Sequence, residues 1–172
     1  AVPPATVVGT DLIRDPAGEL LVLEDNLRMP TGATCAIAVR EAVAPELGPE
    51  ATEGLRPLDG YVERLGEAIR AAAPSSHAAE PVAAILSDGP ESGAYYEHER
   101  LARELSLPVV TPSQLSCTRG RLHAQVGRRQ IQLDVVYRRL DEDRLTDRGG
   151  ALTELGKLLA PALQSGRLRC VN

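Results

Sequence analysis

The chain has 172 residues, of which 43% are hydrophobic and 25% are charged, and its net charge is −5. This composition indicates a folded domain and excludes a generally basic nucleic-acid binder, while the absence of Phe and Trp leaves little aromatic surface to stack on bases. No apolar run approaches the ~20 residues of a membrane span and no signal segment opens the chain, so we expect a cytoplasmic protein without nucleic-acid or membrane partners.

The first predicted element is an antiparallel β-hairpin over residues 9 to 26. Its turn is the segment Asp15-Pro16-Ala17-Gly18, in which Pro fixes φ and Gly lets the chain leave the turn. The predicted register places Asp11 opposite Val22 and diagonal to Glu24, because side chains alternate between the two faces of a strand.

In this register three oxygen-bearing side chains share one face of the hairpin, namely Asp11, Glu24 and Asn26. Two nearby carboxylates repel unless a cation lies between them, and Mg²⁺ takes oxygen ligands from one or two carboxylates together with substrate phosphates. The pattern, with Arg28 just beyond it, therefore favours a magnesium–nucleotide site. The alternative is a hairpin whose polar edges are solvated.

A loop at residues 30–33 leads from the hairpin into a predicted short helix, residues 34–44. The first amides of a helix are free to bind an anion, so Gly32 and Thr34 are candidates for holding a substrate carboxylate or acyl phosphate. A capped helix start is the alternative.

The remainder of the chain alternates between predicted strands and helices. Residues 45–57 form a connection broken by Pro and Gly, and 74–81 a linker. The other predicted elements are a helix at 58–73, a strand at 82–87, a helix at 94–105, a strand at 108–111, a hairpin around Gly127 that continues into 131–140, a helix at 150–164 and a strand at 167–171. This alternation predicts an α/β fold with a parallel or mixed sheet.

Two adjacent arginines occupy the predicted strand "DVVYRRLDED". Because side chains alternate along a strand, Arg138 and Arg139 point to opposite faces, so one of them must leave the solvent face and find an anion. Arginine is suited to bidentate contacts with a substrate carboxylate or phosphate. An ion pair with Asp141, Asp143 or Glu97 is the alternative, and both interpretations stay open.

Three short motifs of the first 32 residues resemble the metal-binding hairpin of the ATP-grasp carboxylate–amine ligases: Gly9-x-Asp11, Glu24-x-Asn26 and Pro30-Thr31-Gly32. Here the hairpin comes first and is followed by "AAILSDGPESGAYYEHERLAREL" and "LDVVYRRLDED". That order resembles the circularly permuted ATP-grasp family of uncharacterised bacterial proteins related to glutathionylspermidine synthase. The resemblance runs through nearly the whole chain and is weakest at residues 44–80 and 144–152.

The resemblance implies an ATP-dependent ligase that joins a carboxylate to an amine through an acyl phosphate. It implies Mg²⁺ and ATP as cofactors, with Asp11, Glu24 and Asn26 as metal ligands and Arg28 as a catalytic residue on the nucleotide phosphates. The substrates would be a small-molecule or peptide acid and an amine. An ATP-dependent kinase on the same scaffold and a non-catalytic partner-binding domain are the alternatives.

The loop after the first predicted strand of the α/β region resembles a family motif at Ser92, Tyr95, Glu97 and His98. Open α/β sheets bind ligands at such strand ends, which makes Ser92, Tyr95 and Glu97 candidates for substrate binding. Alternatively, Ser92 caps the following helix and Glu97 stabilises its first turns. His98 is more often a structural histidine than a base. The family more often has Asn before the serine and Phe before Glu-His.

Lysine content indicates a part of a longer protein. ATP-grasp enzymes resemble one another in holding nucleotide phosphates with lysines and a glycine-rich loop, whereas Lys157 is the only lysine here. We therefore expect residues 1–43 to form the metal-binding hairpin and following helix, 44–81 a helical connection and linker, and 82–172 a Rossmann-like module with a mixed sheet that precedes the ATP-grasp fold. The remainder of the protein would be a partner of this chain, which we expect to be inactive by itself.

Overall fold

The computed structural model describes residues 5–58, 60–74 and 80–172. Residues 75–79 of the predicted linker lie outside these ranges. Within them the chain forms a mixed α/β structure with parallel and antiparallel sheets, which confirms the predicted fold class.

The N-terminal hairpin consists of strands β1 (Gly9–Arg14) and β2 (Leu20–Asn26), which pair antiparallel as predicted. Its turn depends on Gly18, whose φ of 90° lies in the left-handed region that favours glycine. The Gly18 N–H donates to the Asp15 carbonyl oxygen at 3.0 Å, which closes the turn.

The register of this hairpin differs from the prediction, because Asp11 pairs with Glu24 and not with Val22. The turn is longer than predicted, since the Asp15 carboxylate accepts a hydrogen bond from the Glu19 N–H at 2.9 Å and Glu19 belongs to the turn. A β-bulge next to Asp11 adds one further residue to β2. Asp11 and Glu24 therefore still share a face, but they lie directly opposite each other rather than diagonally.

Three helices follow: α1 (Ala33–Leu47), α2 (Pro49–Thr52) and α3 (Gly60–Ala71). Helix α1 is longer than predicted, since it continues through Pro45 into one further turn. Gly48, with a φ of 78°, ends it.

The rest of the chain forms a four-stranded and a three-stranded sheet. Its elements in chain order are β3 (Ala83–Ser87), α4 (Tyr95–Leu105), β4 (Val109–Val110), β5 (Leu115–Thr118), β6 (Arg121–Val126), β7 (Arg129–Leu133), β8 (Val135–Arg139), α5 (Glu154–Gln164) and β9 (Arg169–Val171). The central sheet is parallel with the order β4-β3-β8-β9, and β5, β6 and β7 form an antiparallel sheet. The predicted long strand 131–140 is thus divided between two sheets at Asp134.

The central sheet is buried on both faces. On one face, Ile85 and Tyr137 pack in a cluster with residues of α3 and α4. On the other face, Leu86 and Val136 pack with residues of α5 and of the antiparallel sheet. The continuous apolar runs of β3 and β8 follow from this burial, since both of their faces need apolar side chains. Among the described residues, no helix is long and apolar enough to cross a membrane.

Candidate functional site

The carboxyl ends of the four parallel strands meet at one edge of the central sheet, and most of the predicted site residues lie along it. Arg138 and Arg139 end β8, and the loop 88–94 follows β3. Ligands bind at this edge in open α/β sheets. The base of the N-terminal hairpin reaches the same edge.

Asn172, directly after β9, connects the hairpin to the central sheet. Its side-chain amide donates to the backbone oxygens of Val7 and Leu27 at 2.7 and 2.8 Å. Its side-chain oxygen accepts from the N–H groups of Thr6 and Val7 at 2.8 and 3.1 Å. These segments flank the hairpin, so one side chain fixes both ends of it. No sequence motif singled out Asn172, because its role depends on contacts across the whole chain.

The predicted metal ligands Asp11 and Glu24 form a directly opposed pair on the exposed hairpin. Opposed residues of an antiparallel pair have Cβ atoms about 5 Å apart, which is close enough for both carboxylates to bind one cation. Neither carboxylate makes a hydrogen bond or ion pair within the described part of the chain. Both therefore have their oxygen lone pairs available.

Asn26, the third predicted ligand, has a structural role in the turn after β2. Its side-chain oxygen accepts hydrogen bonds from the N–H groups of Arg28 and Met29 at 3.1 and 3.4 Å. This Asx-type turn directs the chain out of the hairpin and places Arg28 beside it. The Arg28 side chain is 74% exposed, and its Nε lies 3.6 Å from a Glu142 carboxylate oxygen.

The donor set of this hairpin fits Mg²⁺ better than a softer metal. Asp11, Glu24 and Asn26 offer only oxygen, and Mg²⁺ is usually bound by one or two carboxylates, waters and substrate phosphates. Within residues 5–58, 60–74 and 80–172, no group of three or more His, Cys, Asp or Glu is placed to hold a metal ion by itself. A cation here would thus need further oxygen ligands from a bound nucleotide or from water.

The predicted anion site at the start of α1 is filled by the protein's own Glu97. One oxygen of Glu97 accepts hydrogen bonds from the N–H groups of Gly32 and Thr34 at 2.9 and 3.2 Å and from the Thr34 hydroxyl at 3.1 Å. Glu97 and Thr34 are both buried. The N–H groups that we expected to bind a substrate anion therefore bind the Glu97 carboxylate, which caps α1, as in the alternative interpretation.

Arg139 completes the same network. Its guanidinium donates to the second oxygen of Glu97 at 2.7 Å and to the Pro30 carbonyl oxygen at 2.7 Å. The Arg139 residue is 1% exposed. We call Gly32, Thr34, Glu97 and Arg139 the Glu97 clasp. The structure brings these four predicted substrate contacts together, but they contact each other, and the clasp holds the loop after the hairpin against the central sheet.

His98 lies directly beside the clasp and is fully buried. Its Nδ1 is 2.8 Å from the Ser87 hydroxyl, which also accepts a hydrogen bond from the Gly89 N–H at 3.0 Å. Burial, followed by the positive charge of Arg139, lowers the pKa of His98 to about 4, although the charge of Glu97 opposes this. His98 is therefore neutral near pH 7, which agrees with a structural role.

Ser92 and Tyr95 lie before and at the start of α4. The Ser92 hydroxyl accepts a hydrogen bond from the Ala94 N–H at 3.3 Å, so it shapes the turn that precedes the helix. The Tyr95 ring packs edge-on to the His98 ring, with 6.3 Å between their centres. Neither side chain contacts the clasp carboxylate, and both are half-buried at the sheet edge.

A cavity of about 530 Å³ opens between the end of the hairpin and the ends of β8 and β9. It is lined by Arg28 and Arg138, by Glu142 in the short turn after β8, and by Thr146, Cys170 and Asn172 among others. Arg28 and Arg138, which were predicted to contact nucleotide and substrate, therefore lie in one cavity. Glu142 was not predicted, since the acidic neighbours considered for the arginines were Asp141, Asp143 and Glu97.

Residues 2–172 match the model of the family described as circularly permuted ATP-grasp type 2. The chain belongs to this family. The match confirms the resemblance carried by the hairpin and strand motifs, in which a hairpin is followed by an α/β region.

Two of the similar proteins carry the name of a putative ligase. The chain is 41% identical over 172 residues to the "Putative glutamate–cysteine ligase 2-2" of Frankia casuarinae, covering 97% of this chain and 20% of that protein. A similarly named protein of Frankia alni is 40% identical over 171 residues, with the same coverage. An uncharacterized protein of Synechocystis is 38% identical over 148 residues, covering 82% of this chain and 30% of the relative. The chain thus spans about a fifth to a third of these relatives.

Proposed function

We propose that the chain is the metal-binding part of an ATP-dependent carboxylate–amine ligase that uses an acyl-phosphate intermediate. In that reaction ATP phosphorylates the acid, and the amine then displaces phosphate to give an amide. The observation that carries the proposal is the pair of opposed, unpartnered carboxylates of Asp11 and Glu24 on a hairpin fixed to the ligand-binding edge of the sheet. The family and the names of the Frankia relatives support the reaction class.

Each hairpin residue has a role in this proposal. Asp11, Glu24 and Asn26 would hold Mg²⁺, which neutralises charge on the nucleotide phosphates when it is bound. Arg28, exposed beside the hairpin, donates hydrogen bonds to phosphate oxygens, and its fixed positive charge stabilises the transferring phosphoryl group. Ser92 and Tyr95 contact the acid or the amine at the sheet edge. The Glu97 clasp keeps the hairpin and this edge in one arrangement.

We further propose that the chain works within a longer cytoplasmic enzyme. Residues 1–43 would form the metal-binding unit, 44–81 a helical connection and linker, and 82–172 the Rossmann-like module before the ATP-grasp fold. The exposure of five large apolar side chains on the hairpin supports the presence of a further packing partner. They are between 47% and 65% exposed: Leu12, Leu20, Leu21, Val22 and Leu23. The remainder of the longer protein would cover them and supply the phosphate-binding lysines.

The variant Glu24→Gln in the full-length protein tests this function. Glutamine keeps the size of the side chain but removes the charge that holds the cation, so Mg²⁺-dependent turnover of ATP should fall by about 100-fold or more while the melting temperature is unchanged. Glu19→Gln, in the exposed turn of the same hairpin, is the matched control and should retain turnover.

Phosphate release is measured with acid and amine supplied together and separately. Release that needs both substrates identifies a ligase, whereas a stable phosphorylated product formed without amine identifies the kinase alternative. Near-normal turnover by Glu24→Gln would exclude the catalytic-metal role of the hairpin.

A further inference from the structure

Two neighbouring arginines at the end of β8 are both buried, but they differ in their hydrogen bonds. Arg139 makes two hydrogen bonds of 2.7 Å, to Glu97 and to Pro30. Arg138 is 8% exposed, yet its contacts are a 3.5 Å hydrogen bond to the Leu140 carbonyl oxygen and a 3.8 Å approach to Glu142. Good N–H···O bonds are about 2.9 Å long, so Arg138 is a mostly buried cation that makes no short hydrogen bond within the described part of the chain.

Arg138 lines the cavity of about 530 Å³ beside the hairpin, and Arg28 lines the same cavity. That volume lies within the range of small-molecule sites. The cavity therefore combines a desolvated guanidinium, a second guanidinium at its rim and room for a ligand.

A carboxylate already bridges the two arginines. One oxygen of Glu142 lies 3.6 Å from Arg28 Nε, and the other lies 3.8 Å from Arg138 Nη2. Both contacts are longer than hydrogen bonds, and the Glu142 side chain is 51% exposed on a short turn. The Arg28–Glu142 ion pair is exposed on both sides and such pairs contribute little, while the approach of Glu142 to Arg138 is longer than a hydrogen bond, so Glu142 can move away at small cost. Burial also raises the pKa of the Cys170 thiol in this cavity, which leaves it uncharged near pH 7.

We propose that Arg138 and Arg28 form a binding site for an oxyanion of a small molecule, a carboxylate or a phosphate, and that Glu142 occupies this site until the ligand displaces it. The ligand places one oxygen against each guanidinium, as Glu142 does, but at hydrogen-bonding distance. Because Arg28 is also the residue placed on the nucleotide phosphates, this inference rests on the proposed function, but its test measures ligand binding and not turnover.

The test is a titration of inorganic phosphate and, separately, of succinate into the protein, followed by NMR shifts of the backbone amides around residues 142 and 171. In Glu142→Gln the competing charge is absent, so the dissociation constant should fall by about two- to tenfold. Asp143→Asn, on the same turn but outside the cavity lining, is the matched control and should change it less than about twofold.

Removal of either guanidinium should weaken binding. Arg138→Met should raise the dissociation constant by about tenfold or more, because it removes a charge-assisted contact in a desolvated position. Arg28→Met is the second variant, because Arg28 is exposed and its replacement should not impair folding. It should raise the dissociation constant by about three- to tenfold. Arg144→Met removes an exposed arginine that pairs with Asp88 and should have no such effect.

Phosphate and succinate distinguish a phosphate ligand from a carboxylate ligand. Tighter binding of either one by Glu142→Gln than by the parent protein supports the proposed site. Absence of ligand-induced shifts in both the parent and Glu142→Gln at millimolar ligand overturns the proposal. An Arg144→Met effect as large as that of Arg28→Met also overturns it, because binding would then follow net charge. Loss of ATP turnover in Glu24→Gln has no bearing on these outcomes.

Discussion

At the scale of single residues, Glu97 is held by hydrogen bonds on both of its carboxylate oxygens. Its two oxygens satisfy the start of α1 and the guanidinium of Arg139 in a buried position. Glu97→Gln keeps the shape but removes the charge opposite Arg139, and breaking a buried ion pair in this way costs about 3–5 kcal/mol. We therefore expect a loss of roughly 3 kcal/mol in the free energy of unfolding, measured by chemical denaturation.

Glu99→Gln is the matched control for this variant, because Glu99 lies on the same helix and is exposed. It should change the free energy of unfolding by less than about 0.5 kcal/mol. The double variant Glu97→Gln with Arg139→Met should be destabilised less than the sum of its single variants. Equal effects of Glu97→Gln and Glu99→Gln would contradict a stabilising clasp.

His98 gives the protein a specific dependence on pH. Its pKa in the folded protein is about 4, whereas the unfolded chain binds this proton near the ordinary value of 6.5. The unfolded state thus binds more protons between these values, so the contribution of His98 to stability is present above about pH 6.5 and is lost as pH falls toward 4. The loss should be roughly 1–3 kcal/mol.

The variant His98→Asn isolates this contribution, since asparagine lacks the titrating ring. The difference in free energy of unfolding between the parent and His98→Asn should shrink as pH falls from 7.5 to 4. A difference that stays constant over this range would show that His98 does not titrate as its burial requires.

At the scale of secondary structure elements, the hairpin is anchored at its base rather than along its length. Strand β2 is exposed throughout, whereas Asn172 makes four hydrogen bonds to the segments that flank the hairpin. Asn172→Leu removes all four and should speed amide hydrogen exchange in residues 9–26 by about ten- to hundredfold, with exchange in β3 unchanged.

Asn172→Asp provides the graded comparison for this element. Aspartate keeps the acceptor for the N–H groups of Thr6 and Val7 but loses the donors to the Val7 and Leu27 carbonyl oxygens, so its exchange rates should lie between those of the parent and Asn172→Leu. Uniform acceleration in β3 as well as in the hairpin would instead indicate global destabilisation.

Sequence patterns predicted which strands and helices form better than they predicted the register and contacts between them. Turn residues and the alternation of side chains sufficed to predict the hairpin and to place Asp11 and Glu24 on one face. Neither pattern predicts a β-bulge, so the predicted register was wrong. Similarly, alternation placed Arg138 and Arg139 on opposite faces. Which acid each arginine meets depends on the packing of α4 and of the turn after β8, so only the structure distinguishes Glu97 from Glu142.

At the scale of the whole molecule, the site depends on contacts between distant parts of the chain. The clasp joins residues 30–34 to α4 and β8, and Asn172 joins the hairpin to β9. The two cores on either face of the central sheet make this arrangement rigid. A hairpin that is mostly exposed can therefore hold its polar end in a fixed position at the sheet edge.

The 172-residue chain should fold cooperatively as an isolated protein but should not turn over ATP. It has the two packed cores needed for folding, whereas its sole lysine, Lys157, pairs with Glu154 at 2.7 Å on an exposed helix surface. Phosphoryl transfer needs positive groups around the nucleotide phosphates, and the candidate site offers Arg28 and Arg138 without a lysine. Thermal unfolding followed by circular dichroism measures folding, and phosphate release with Mg²⁺ and ATP measures turnover. The full-length protein is the positive control, and turnover by the isolated chain above the enzyme-free rate would show that the 172 residues contain a complete nucleotide site.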